Sequence, residues 1–191
     1  NEPDTIYEGQ DGLTPDQYAQ AYREAYQTIK AADPTARIGI GTIVQPTPIR
    51  LQWLDMMWSA YQQRYGTTPP SDFWSIHSFI LREVAGQWGT GIPPGMDATS
   101  GTVYTIEQTD DINIFKQRIM DFRNWMAAKG ERNKPLWITE YGSLIPHDGR
   151  LGYATFPMTR TRDYMLATFD YLLTAQDAST GVMASIKMDT A

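Results

Sequence analysis

Apolar positions recur along the chain with two periods in turn, and the alternation predicts helices and strands in sequence. The helical period comes first. Tyr18, Tyr22, Ala25 and Ile29 fall on one stripe and predict a helix over Thr14–Ala32. Thr14 suits the N-cap, Pro15 the first helical position, and Gln17 completes a capping box. Asp33-Pro34 ends the helix, because the residue before proline avoids the helical region. Arg37–Val44 reads as a short strand with Ile38 and Ile40 on one face and Gly39 and Gly41 on the other. A second helix covers Pro48–Tyr65, with Leu51, Leu54, Trp58 and Tyr61 along one side, and Gly66–Pro70 stops it. Asp72–Phe79 is the second strand. The Gly/Pro-rich stretch Gly86–Gly101 follows, and a loop of that length in a compact domain is usually functional. Ile112, Phe115, Ile119, Phe122 and Met126 predict a third helix over Asp111–Lys129, with Asp110-Asp111 complementing its dipole. Pro135–Gly142 is a third strand, Ser143–Met158 a loop, Thr159–Ala175 a fourth helix and Gly181–Met188 a fourth strand.

Strands alternating with helices predict a parallel sheet under helical cover. A doubly wound sheet and a (β/α)8 barrel both fit. No G-x-G-x-x-G follows a strand, so a dinucleotide site has no support. Polar residues gather at the C-terminal ends of strands, where barrel active sites lie, and this favours the barrel. Strand phase then aims the side chains. Ser75 and His77 share a face opposite Trp74 and Ile76, which points His77 toward the centre. Leu136, Ile138 and Glu140 share a face opposite Trp137 and Thr139. With Glu140 directed into the barrel mouth, Trp137 is expected to face the helices.

Composition narrows the partners. The chain has 191 residues, 41% hydrophobic and 20% charged, enough for one domain with a sizeable core. Its net charge is −6 and it has no Lys/Arg cluster, which argues against nucleic acid and anionic membranes. It has no cysteine, hence no disulfide framework or thiolate metal site. No apolar run approaches the ~18 residues of a membrane span. The two histidines lie far apart in sequence, which argues against a zinc site, and no cofactor is expected.

The candidate chemistry lies in two glutamates. The chain opens on Asn1-Glu2-Pro3, and Pro135–Gly142 carries Glu140 at its end. Two carboxyl groups flanking one bond are what glycoside hydrolysis requires: one protonates the leaving oxygen, and the other attacks or positions water. Asn1 beside Glu2 is suited to hold a sugar hydroxyl. His77 and Tyr141 are candidate donors to a carboxylate or to substrate, and His77 reads equally as a satisfied polar residue. Gln45 and Trp88 complete the candidate substrate-binding set. Trp88, Tyr104 and Phe156 lie in long loops, where stacking on sugar rings and half-buried packing are both open. His147 has no evident partner and reads as surface.

Taken together, these residues resemble clan A retaining glycoside hydrolases, the TIM-barrel group that includes families 5, 39 and 53. Asn1-Glu2-Pro3 matches the strand-four motif and Ile138-Thr-Glu140-Tyr-Gly142 that of strand seven. Trp74–Phe79 looks like strand six and Arg37–Val44 like strand five. Gln45–Leu51 and Ile80–Glu83 also look like uncharacterised bacterial proteins of this type. The resemblance implies Glu2 as acid/base, Glu140 as nucleophile and Asn1 as ligand of the 2-hydroxyl. It implies double displacement on a polysaccharide or oligosaccharide, and an extracellular or cell-surface location.

The resemblance spans nearly the whole chain but only the second half of the fold, since such a barrel takes about 250 residues. Residues 1–191 are therefore expected to be a single partial domain, a fragment. Its open edges would be closed by the N-terminal half of the same barrel, without which it is expected to be unstable. The family carries a tryptophan platform at the end of strand eight, and Val182–Met188 has none. That absence supports an alternative, a catalytically inactive barrel serving as a carbohydrate-binding or cell-surface structural component. A third reading is an α/β enzyme whose glutamates do unrelated work.

Overall fold

The computed structural model describes residues 1–6, 12–145, 156–175 and 186–187. Among the described residues, four α-helices alternate with four strands: α1 (Pro15–Ala32), β1 (Gly39–Ile43), α2 (Pro48–Tyr65), β2 (Phe73–Ser78), α3 (Ile112–Ala128), β3 (Leu136–Tyr141), α4 (Met158–Thr174) and β4 (Ile186–Lys187). The strands form one sheet in the order β1-β2-β3-β4, every pairing parallel. His147 and most of the predicted strand Gly181–Met188 lie outside the described residues. Among the described residues, no helix is long and apolar enough to cross a membrane.

Local chemistry sets the helix ends as the sequence predicts. Thr14 and Gln17 close the capping box of α1, and Asp111 caps α3 by accepting from the amides of Asn113 and Ile114. Asp110 plays a different part, pairing with Arg160 of α4. Gly66 ends α2 in the left-handed conformation, at φ 71°.

One face of the sheet packs on the helices. Ile40, Ile43, Trp74, Ile76, Leu136 and Ile138 meet Leu54, Trp58, Phe115, Ile119, Phe122 and Trp125 there. Trp74 is the hub, its ring centroid 4.9 Å from Trp125 and 5.9 Å from Phe122. The predicted stripe of α1 holds only in part. Tyr18, Ala19, Tyr22 and Tyr26 pack inward, whereas Ala25 and Ile29 are exposed because the inward stripe continues through Tyr26 instead.

The opposite, open face is built on small residues along β1. The Phe73 ring lies where a side chain on Gly39 would be, and a Cβ on Gly41 would sit 2.1 Å from the Ser75 carbonyl oxygen. Beside them Phe73 stacks on Trp137 at 4.0 Å. This corrects the sequence expectation for β3: Trp137 lies on the open face, and Leu136 and Ile138 face the helices. Simple alternation would then send Glu140 toward the helices as well. The register shows why it does not go there. Ile138 pairs with Ile76, but His77 pairs with Glu140, so Thr139 is an extra residue with no opposite number. This bulge turns Glu140 onto the face of His77, the re-aiming that bulges perform near sites. A similar shift in β1 puts Ile40 and Ile43 on the same face despite their odd spacing.

Candidate active site

Glu2 arrives at the site on a tight turn. Its φ is +41°, uncommon for a residue other than glycine and costing about 1–3 kcal/mol. The Thr5 amide donates to the Glu2 carbonyl at 3.1 Å, and the Leu13 amide to that of Pro3 at 2.8 Å. Asp4 completes the anchoring. Its fully buried carboxylate pairs with Arg50 of α2, and its second oxygen accepts from the Val44 amide at 3.3 Å.

Arg50 is the centre of a wider buried network. Its Nε donates to Glu83 at 2.8 Å and its Nη1 to the Asp4 carbonyl at 2.8 Å. Its Nη2 donates to the Thr90 hydroxyl at 2.9 Å and to the Thr90 carbonyl at 3.1 Å. Glu83 is itself satisfied by the Thr47 hydroxyl at 2.5 Å and the Thr102 amide at 2.7 Å. Burial pushes the Asp4 carboxyl above its usual range, and the Arg50 guanidinium opposes that push. One guanidinium thus ties the turn carrying Glu2 to the loop after β2. That loop is ordered further by pairing of Val84 with Ser100 and by Trp53 donating to the Pro94 carbonyl at 3.0 Å.

His77 brings the two candidate carboxyl groups together. Its Nδ1 is 2.7 Å from Oε1 of Glu2, and its Nε2 is 3.3 Å from Oε1 of Glu140. The Glu2 side chain is 10% exposed and that of Glu140 51%, so one carboxyl is sunk in the wall and the other stands at the mouth. One donor atom from each of the three residues lies within 4.8 Å of the others. Such a set of one nitrogen and two oxygens has the spacing of a metal site. Both imidazole nitrogens, however, already face carboxylates, so coordination would have to break one of those contacts.

A pocket of 260 Å³ opens beside Glu2, with Trp88, Phe79, Leu81 and Leu144 among its walls. Trp88 is 39% exposed, as a binding aromatic would be. Tyr104 and Phe156 are buried instead, Phe156 beneath the Arg160 guanidinium at 4.4 Å. Asn1 is exposed beside Glu2. Two other candidates are not brought to the site. Tyr141 pairs with Ser78 one residue beyond the bulge and so faces the helices, 5.7 Å from Phe115, where its hydroxyl accepts from Thr168. Gln45 is buried and spends both ends of its amide on the backbone of Leu81, at 2.8 and 2.9 Å. The sequence reading did not assign Asp4, Arg50 or Glu83. The available signal was a charged residue, Arg50, on the same α2 stripe as Leu54 and Tyr61.

A parallel α/β sheet with one carboxyl at a strand end and a second on a turn beside it is a scaffold suited to acid–base hydrolysis. The chain belongs to the glycosyl hydrolase catalytic core family, whose model matches residues 1–177. No curated protein matches the chain.

Proposed function

We propose that this chain is the catalytic half of a retaining glycoside hydrolase, with Glu2 as acid/base and Glu140 as nucleophile. The observation that carries the proposal is the close approach of the two carboxyl groups across His77, with donor oxygens within 4.8 Å. Retaining enzymes hold their carboxyls about 5–5.5 Å apart, and inverting ones about 6.5–9.5 Å, leaving room for a water. The sequential strand order supports a barrel, since a doubly wound sheet reverses its order at a switch point. In this reading the four strands are the second half of a (β/α)8 barrel.

In the first step a Glu140 oxygen bonds to the anomeric carbon as the bond from that carbon to the leaving oxygen breaks, and Glu2 gives its proton to that oxygen. In the second, Glu2 takes a proton from water, and the water oxygen displaces Glu140 from the same carbon. His77 holds the two groups in register for both steps. Trp88 and Asn1 contact substrate, which we take to be an extracellular glycoside.

Glu2→Gln and Glu140→Gln, made in the complete protein, test the assignment on a panel of polysaccharides and simple glycosides. Each variant should lose at least about 100-fold in turnover while keeping the wild-type circular dichroism. Wild-type-like hydrolysis in either variant removes that residue from its role. Sugar binding by the complete wild-type protein without any hydrolysis supports the inactive, carbohydrate-binding alternative.

A further inference from the structure

We propose that the pocket beside Glu2 is the leaving-group site and that it selects glycosides of an apolar aglycone, aryl or alkyl, over those whose leaving group is a sugar. The inference rests on the assignment of Glu2 as the acid. A general acid must touch the oxygen it protonates, so the leaving group lies against Glu2 and the retained sugar against Glu140. The pocket is lined by Glu2 but by neither Glu140 nor His77, which places it on the leaving-group side.

The chemistry of its walls is unusual for a sugar site. Val44, Phe79, Leu81, Trp88, Leu144 and Ile145 surround the space. Among the described residues, the polar side chains lining it besides Glu2 are Thr5 and Thr90. Both hydroxyls are engaged behind the wall: Arg50 donates to Thr90 at 2.9 Å and to Thr5 at 3.4 Å, and the two hydroxyls face each other at 3.4 Å. A sugar entering here would bring a rim of hydroxyls to a surface with few partners to offer, and unpartnered buried hydroxyls are penalised. An aromatic or alkyl group has no such rim and gains from every wall. At 260 Å³ the pocket has room for a ring.

The test compares benzyl glycosides with disaccharides carrying the same non-reducing sugar, because both leaving groups are alcohols rather than phenols. The expected result is kcat/KM at least tenfold higher for the benzyl glycoside, with the preference abolished in Trp88→Ala. Equal or better turnover of the disaccharide overturns the proposal while leaving the hydrolase assignment intact. Benzyl alcohol, titrated calorimetrically against the complete protein, reads the pocket independently of turnover. Saturable binding that is lost in Trp88→Ala supports the pocket chemistry even if no glycoside is hydrolysed, in which case only the hydrolase assignment falls. Absence of saturable binding overturns the pocket proposal.

Discussion

His77 stands between Glu2 and Glu140 and touches both, Nδ1 at 2.7 Å and Nε2 at 3.3 Å, with its side chain 1% exposed. A residue so placed aligns the carboxyl pair without reaching substrate. Its removal should therefore act on turnover more than on binding. His77→Ala is expected to lower kcat by about 100-fold, the cost of misplacing a reacting group by about 1 Å, with KM changed less than about threefold. Steady-state kinetics separate the two. A rise in KM at unchanged kcat would make His77 a substrate ligand instead.

The Thr139 bulge makes an unusual prediction. Because Thr139 is the extra residue between the Ile138–Ile76 and Glu140–His77 pairs, deleting it leaves Glu140 opposite His77 in a regular ladder. The deletion should retain measurable turnover, within about 100-fold of wild type. Inserting an alanine after Thr139 without a second bulge sends Glu140 toward the helices, and turnover should vanish. If the deletion is dead and the insertion active, the proposed register has no part in placing Glu140.

The Arg50 network should dominate stability at this end of the sheet. Arg50→Met leaves Asp4 and Glu83 buried without their cation and should cost about 3–5 kcal/mol in denaturant unfolding. Arg50→Lys should rescue little, since one ammonium cannot reproduce contacts to Asp4, Glu83 and Thr90 together. A loss below about 1 kcal/mol, typical of an exposed pair, would show that the network is open to water.

Tyr18 offers a test by pH. Its buried hydroxyl donates to the Gly41 carbonyl, and burial raises its ionisation from the ordinary 10 to about 12. The unfolded chain loses this proton near pH 10 and the folded chain only near 12. The stabilisation is thus complete below pH 10 and shrinks as pH rises through about 12. Tyr22 and Tyr164 are raised by burial as well, so the informative quantity is the difference between wild type and Tyr18→Phe. That difference should favour wild type at pH 9 and narrow steadily above pH 10. A constant gap would refute the burial argument.

Much of the scaffold was legible in the sequence because it rests on local rules. The Thr14 capping box, the Phe115–Met126 stripe and the His77 phase follow from cap chemistry and side-chain period alone. Glu140 was singled out although its predicted strand phase was wrong, because position at a strand end does not depend on which face a side chain takes. The bulge was illegible because nothing in Ile-Thr-Glu requires an extra residue; it is set by pairing with β2. Tyr141 was misread for the same reason, one residue further on. Gln45 and Arg50 were misread or missed because their partners, Leu81 and Glu83, lie more than 30 positions away and no local pattern links them.

One consequence of the Arg50 network concerns attempts to change what the protein accepts. The loop bearing Trp88 is a natural target for grafting, yet Thr90 and Glu83 within that region share a guanidinium with Asp4, two residues from Glu2. A transplanted loop that lacks those partners would loosen the turn that carries Glu2. The loop's shape and the placement of Glu2 are therefore coupled as one module, and a library that varies the loop should keep Glu83 and Thr90 constant.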